Sequence, residues 1–308
     1  MKSYLPKTKA AVVQAGPCLF DLSASLEKAE RLISEAGQHG ARIILFPEAF
    51  LSGYPRGLSF GAVVGSRSQQ GRQLFQRYWE NAVEDQGEAT SRLGEAARKA
   101  NAFLAMGVIE RDSETSGGTL YCSLFYFSPN GELIGKHRKL KPTGSERLIW
   151  GEGGADTLTV IKTEFGRIAG LICWENYMPL ARMALYSQGI DIYLAPTADA
   201  RDTWQASMQH IACEGRCFVL GCNQFVVRDM YPADLIESEE MHNQPEIMCR
   251  GGSVIVSPLG NILAGPLFDE EGILYAELDL AEVVQGRFDF DVVGHYARPD
   301  LFDFRVNW

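Results

Sequence analysis

The stretch IAGLICWE, residues 168–175, decides how this chain folds. Ile168-Ala169-Gly170-Leu171-Ile172 is a short apolar run, the pattern of a strand buried on both faces, and it leads directly into Cys173. Two other segments repeat the arrangement. Ile43-Ile44-Leu45-Phe46 runs into Pro47-Glu48. Glu132-Leu133-Ile134-Gly135-Lys136 follows the turn signal Ser128-Pro129-Asn130-Gly131 and reads as the second arm of a hairpin ending at His137-Arg138-Lys139. In open α/β sheets ligands bind in the crevice outside the carboxyl ends of the strands, so residues remote in the chain converge there. A thiol, a carboxylate and an amine at three strand ends therefore read as one active site.

The chemistry of the three groups is complementary. A thiolate is the nucleophile, an ammonium nearby lowers the thiol pKa, and a carboxylate moves protons between thiol, water and a leaving nitrogen. Each residue taken singly also has a commonplace structural explanation. Buried cysteine is a common small core residue, a glutamate after proline is often a cap, and lysine in a basic run is usually solvated.

Longer strings settle the choice. FPEAFLSGYPRG (46–57), GKHRKLKPT (135–143), ERLIWGEGG (146–154), GLICWENYMPLAR (170–182) and GHYARPD (294–300) resemble, in order, the signature blocks of the nitrilase family, and the likeness runs from about residue 8 to 300. Cys173-Trp174-Glu175-Asn176 resembles the true nitrilases rather than the amidases and carbamoylases that share the superfamily. The GYPRG segment and Leu194-Ala195-Pro196-Thr197-Ala198-Asp199 are most similar to nitrilases of plants and their bacterial relatives that take arylacetonitriles or β-cyanoalanine.

The resemblance implies that Cys173 is the nucleophile, Glu48 the general base, Lys139 the cationic stabiliser and Glu146 a second carboxylate, with a nitrile and water as substrates and no cofactor or metal. It implies a four-layer α-β-β-α sandwich and self-association into homo-oligomers, with the segment from about 280 to 308 at subunit contacts. An amidase or carbamoylase using the same groups is the competing activity. Lys136 and Lys141 are expected to be a solvated charge run. Tyr54 and Thr197, in loops after apolar strands, are candidate pocket residues, although turn chemistry explains both and is the preferred reading. Trp174 is a further pocket candidate, balanced against a place in the core, and Glu175 is equally ambiguous. His295 is left outside the mechanism.

Composition fits a single enzyme domain spanning residues 1–308. At 308 residues and 46% hydrophobic content the chain buries a large core, and no linker or low-complexity tract divides it. A net charge of −10 opposes nucleic-acid binding. No apolar stretch has the length of a membrane span, and Met1 to Thr8 lacks the apolar core of a secretory signal, so a cytoplasmic location is expected. Seven cysteines, an odd count, suit free thiols in a reducing compartment. His210, Cys213 and Cys217 have a superficial metal-ligand spacing, but the run after Cys217 reads as a strand and a fourth ligand is lacking.

Strands are expected at 10–14, 42–46, 103–110, 119–128, 132–137, 157–162, 167–172, 191–195, 217–225, 252–257, 261–264 and 272–278. Helices are expected at 23–38, 67–81, 88–100, 179–188 and 202–214. Residues 55–66 and 228–250 read as irregular; the second is too long for an ordinary loop and is expected over the pocket or at a subunit contact.

Overall fold

The computed structural model describes residues 5–113 and 115–308. The first half runs β1 (Lys7–Gln14), α1 (Leu22–Gln38), β2 (Ile43–Leu45), β3 (Ala62–Val63), β4 (Ser66–Arg67), α2 (Gln69–Glu80), α3 (Glu88–Ala100), β5 (Phe103–Arg111), β6 (Leu120–Phe127) and β7 (Leu133–Arg138). The second runs β8 (Ile161–Thr163), β9 (Gly166–Gly170), α4 (Pro179–Tyr186), β10 (Ile192–Pro196), α5 (Thr203–Gly215), β11 (Phe218–Cys222), β12 (Phe225–Val227), α6 (Ala233–Ile236), α7 (Glu239–His242), β13 (Ile247–Val256), β14 (Ile262–Phe268), β15 (Gly272–Asp279) and α8 (Ala281–Gly286).

Two sheets form, in the orders β15-β1-β2-β5-β6-β7 and β12-β13-β11-β10-β9-β8, with β14 paired to β13. The centre of each is parallel: β1, β2 and β5 in one, β9, β10 and β11 in the other. The layers follow from the two-residue period of side chains along a strand. Ala10 and Val12 of β1 face the second sheet, in one core with Ile192, Leu194, Phe218 and Leu220. Ala11 and Val13 face the other way, onto Leu26 and Ile33 of α1 and Leu93 of α3. On the far side, Ala169, Tyr193 and Val219 pack under Leu185 of α4 and Trp204, Met208 and Ile211 of α5. Both faces of the central strands of each sheet are thus dry, and the result is the α-β-β-α sandwich.

Several boundaries differ from the sequence reading. The strand expected over 157–162 is confined to Ile161–Thr163, because Ala155–Thr157 closes a 3-10 turn. The strand expected over 217–225 ends at Cys222; Asn223 and Gln224 turn inward and β12 resumes at Phe225. Residues 228–250 are no single loop. They hold a 3-10 turn, α6, α7 and the start of β13, in which Arg250-Gly251-Gly252 interrupts the apolar pattern and hides the continuity of Ile247-Met248-Cys249 with the run after 252. Residues 55–66 lead into the exposed β3–β4 hairpin.

Candidate active site

The two sheets meet at a cluster of strand ends, and each contributes part of it. Past β2, Phe46 still donates to Ala105 O, and the chain then lifts off β5 to present Glu48. Gly107 makes this approach possible, since a Cβ there would stand 1.9 Å from the Pro47 carbonyl oxygen. Lys139 directly follows β7, with its N–H donating to Cys122 O of β6 at 2.8 Å. Cys173 follows β9 and opens a 3-10 turn at φ 54°, a left-handed conformation that costs a non-glycine residue on the order of 1–2 kcal/mol. Asn176 Nδ2 holds that turn by donating to the carbonyls of Leu171 (2.9 Å) and Cys173 (2.7 Å).

Lys139 Nζ is fully buried and lies 2.7 Å from Glu48 Oε1 and 2.8 Å from Glu146 Oε2. Glu146 also accepts from Tyr54 O–H (2.6 Å) and from Thr143 N–H (2.6 Å), which pins it at the head of its 3-10 turn. The sulfur of Cys173 receives Thr197 O–H at 3.1 Å and the backbone N–H of Ala198. Glu48 Oε2 is buried with no hydrogen-bond partner among the described residues. Two groups absent from the sequence reading support Glu48: Cys122 Sγ is 3.6 Å from Oε1, and Gln224, at the end of β11, donates to the Glu48 carbonyl.

Burial dominates the electrostatics. It pushes the Glu48 carboxyl up, an effect the Lys139 charge offsets in part and the Glu146 charge reinforces. Burial likewise raises the Cys173 thiol, aided by Glu48 and opposed by Lys139, Thr197 and Ala198. Lys139 shows the reverse balance: burial would discharge it, but the neighbouring acids hold it well above the ordinary lysine range. At neutral pH the site therefore holds a protonated thiol, a firmly cationic lysine and a carboxylate predisposed to take a proton.

A cavity of about 570 Å³ opens over these groups, lined by Cys173, Glu146, Tyr54, Trp174, Arg56 and, from the start of β13, Met248. Trp174 forms part of its wall, half-exposed, with the indole N–H donating to Asp199 Oδ2 at 2.9 Å. Tyr54 is on the wall as well, whereas Thr197 lies fully buried against the Cys173 sulfur. Glu175 is buried and structural in its contacts, bonded to His137 and to backbone amides. The expectation of a solvated charge run is corrected for Lys136, which is largely buried against Glu110 (2.6 Å) and Asp85 (3.0 Å); Lys141 is exposed beside Glu152. His295 is on the surface against Tyr296. Among the described residues no cluster of metal-ligating side chains forms, and no helix is long and apolar enough to cross a membrane.

Residues 9–288 match the carbon-nitrogen hydrolase family model. The chain is 49% identical over 307 residues to a bifunctional nitrilase/nitrile hydratase of Nicotiana tabacum, covering 99% of this chain and 87% of the relative. It is 51% identical over 308 residues to a nitrilase of Bradyrhizobium diazoefficiens, covering 100% and 94%. Its fold superimposes on a carbon-nitrogen hydrolase from Helicobacter pylori with a TM-score of 0.75 at 21% identity, covering 96% of this chain and 97% of the other.

Proposed function

The chain belongs to the carbon-nitrogen hydrolase family, and from that premise, with nitrilases as relatives along nearly its whole length, we propose that it hydrolyses an organic nitrile to the carboxylic acid and ammonia. The observation that carries this reading is the buried Glu48–Lys139–Glu146 junction at the foot of the Cys173 cavity.

In this mechanism Cys173 Sγ attacks the nitrile carbon while Glu48 takes the thiol proton and passes it to the nitrogen, giving a covalent thioimidate. A thiol whose pKa is raised needs a base at the moment of attack, and a buried carboxyl with a free oxygen is suited to that role. Lys139 stabilises the charge developing on nitrogen. The Trp174 N–H, the first after Cys173, adds an oxyanion-hole contribution. Water activated by Glu48 then adds to the thioimidate carbon. Expulsion of ammonia leaves a thioester, which a second water hydrolyses to the acid, freeing the thiol. Expulsion of the thiol instead releases the amide, and the double name of the Nicotiana relative makes such a by-product the natural expectation. Glu146 holds Lys139 as a second carboxylate beside Glu48; Tyr54 and Trp174 shape the pocket.

The protein self-associates in this reading, with residues 280–308 at subunit contacts, supported by the exposure of Val284, Phe288, Phe302 and Trp308 in that segment. Its seven free cysteines support residence in the reducing cytoplasm. The test is release of ammonia and acid from phenylacetonitrile, β-cyanoalanine, an aliphatic dinitrile and the matching amides, with Cys173→Ala as control. Nitrile turnover that the control lacks is the expected result; turnover of amides alone replaces the nitrilase reading with an amidase.

A further inference from the structure

One buried carboxylate touches the backbone on both sides of the reacting groups. Glu175 Oε2 accepts the N–H of Ile172, immediately before Cys173, at 2.6 Å. Its Oε1 accepts the N–H of Leu140, immediately after Lys139, at 2.6 Å. Cys173 follows a strand of one sheet and Lys139 a strand of the other, so the Leu140 bond crosses the seam between the sheets while the Ile172 bond ties the same carboxylate to the Cys173 turn. His137 completes the arrangement. Its Nε2 is 3.0 Å from Glu175 Oε2, and its Nδ1 is 3.0 Å from the Thr157 carbonyl oxygen. A carbonyl only accepts, so Nδ1 carries a proton; a carboxylate accepts as well, so Nε2 carries another, and the imidazole is the cation that balances Glu175 in the interior. Glu175 and His137 are each about 1% exposed or less.

We propose that Glu175, charge-balanced by His137, is a positioning residue that sets the separation of the Cys173 sulfur from the Lys139 ammonium across the sheet seam. This rests on the nitrilase roles given above for Cys173 and Lys139. The reasoning is geometric. Cys173 is held at φ 54°, a conformation the surrounding contacts must enforce, and the Glu175 carboxylate is bonded to the amide that enters it. An amide side chain in its place offers one acceptor oxygen, while its NH2 group confronts the N–H it formerly bonded. The turn then relaxes relative to Lys139. A displacement near 1 Å of reacting groups costs on the order of a hundredfold in rate. Binding of the nitrile in the cavity does not involve Glu175, which is absent from its lining.

The test compares Glu175→Gln, His137→Gln and Cys173→Ala with the parent enzyme, using whichever nitrile is turned over. Each preparation that retains Cys173 is normalised by titration of that thiol with iodoacetamide, and Cys173→Ala by the concentration of folded protein. For Glu175→Gln, kcat falls by about tenfold to a hundredfold while KM stays within about twofold. His137→Gln, which retains a donor toward Glu175, shows the same split with a smaller loss of kcat. A titrated Glu175→Gln enzyme whose kcat matches the parent, or whose loss lies in KM, overturns the proposal. If Glu175→Gln does not fold, His137→Gln decides alone: lowered kcat at unchanged KM supports the positioning role, and parental kcat refutes it. Cys173→Ala separates this question from the underlying reading, since activity surviving there overturns the nucleophile assignment whatever the other variants do.

Discussion

Replacing Thr197 by valine removes one oxygen from beside the Cys173 sulfur and little volume. In the structure Thr197 Oγ1 accepts the N–H of Asp199 at 2.9 Å, which leaves its own proton directed at Cys173 Sγ, 3.1 Å away. A hydrogen bond to a charged group is worth about 1.5–3 kcal/mol, so the thiolate loses that much support while the thiol loses far less. At about 1.36 kcal/mol per pKa unit, the Cys173 thiol, already raised by burial, rises by a further one to two units. Below its pKa the thiolate fraction falls tenfold per unit, so alkylation of Cys173 by iodoacetamide slows by about tenfold to a hundredfold at any fixed pH. The assay is the alkylation rate between pH 6 and 10, followed at the Cys173 peptide by mass spectrometry so that the other thiols do not interfere. Thr197→Ser, which keeps the hydroxyl, restores most of the rate. An unchanged rate in Thr197→Val, with the protein folded, refutes the claim that this hydroxyl supports the sulfur.

Lys139→Met leaves Glu48 and Glu146 buried without their shared cation and destabilises the fold by about 3–5 kcal/mol at pH 7. Urea unfolding detects this, and the deficit shrinks toward pH 5 as the stranded carboxyls take up protons. His137 has a pKa raised in the folded state, because Glu175 and the Thr157 carbonyl outweigh burial, so the folded protein binds this proton more tightly than the unfolded chain. Its stabilisation is complete below the ordinary histidine range near pH 6.5 and is lost as pH rises through the raised folded value. The difference in unfolding free energy between the parent and His137→Gln, measured across pH 6 to 10, declines with pH. Gly107→Ala drives a methyl into the Pro47 carbonyl and displaces the Glu48 loop; urea unfolding shows a loss of at least about 1–3 kcal/mol, and the titrated enzyme turns over little nitrile.

The sequence exposed the parts of the site that lie along the chain and concealed those that lie across it. Apolar runs stopping at Glu48 and Cys173 marked strand ends, because a strand buried on both faces rarely carries polar residues until it leaves the sheet, whereas Lys139 was marked by the hairpin turn at 128–131 and the arm that follows it. Lys136 and Lys139 sit in one basic run, but β7 turns them to opposite sides of the register, and tertiary partners alone distinguish them: Glu110 for one, Glu48 and Glu146 for the other. Cys122 reads as an ordinary apolar strand residue, and its place beside Glu48 arises from the pairing of β6 with β5 and β7. Gln224 carried no signal at all: it falls inside the strand expected over 217–225, and only the end of that strand at Cys222 frees it to turn toward Glu48. The four layers were legible only by family likeness, because dry faces on every strand look the same whether a helix or a second sheet covers them.

Placing the reactive groups on a seam between two sheets has an energetic consequence. Glu48, Lys139 and Cys122 come from one sheet; Cys173, Thr197 and Gln224 come from the other. Burying a lysine and two carboxylates costs several kcal/mol per ion before their mutual attraction repays it, and repayment depends on near-ideal distances. Those distances are set where the chain leaves β2 and β7 of one sheet, so the ion cluster is a fixed base against which the other sheet must place Cys173. The inter-sheet core of Val12, Leu45, Leu194 and Leu220 supplies the hydrophobic free energy that holds the sheets together, without specifying their offset to a fraction of an ångström. Directional bonds across the seam do specify it: Gln224 to the Glu48 carbonyl and Glu175 to the Leu140 amide. A core substitution such as Leu194→Ala, outside the cavity lining, therefore lowers kcat more than KM, because it loosens the register between Cys173 and the ion cluster while leaving the walls that bind substrate in place. Equal kcat in the titrated variant, despite the expected loss of about 2–5 kcal/mol in urea unfolding, would separate core packing from active-site register and sink that argument.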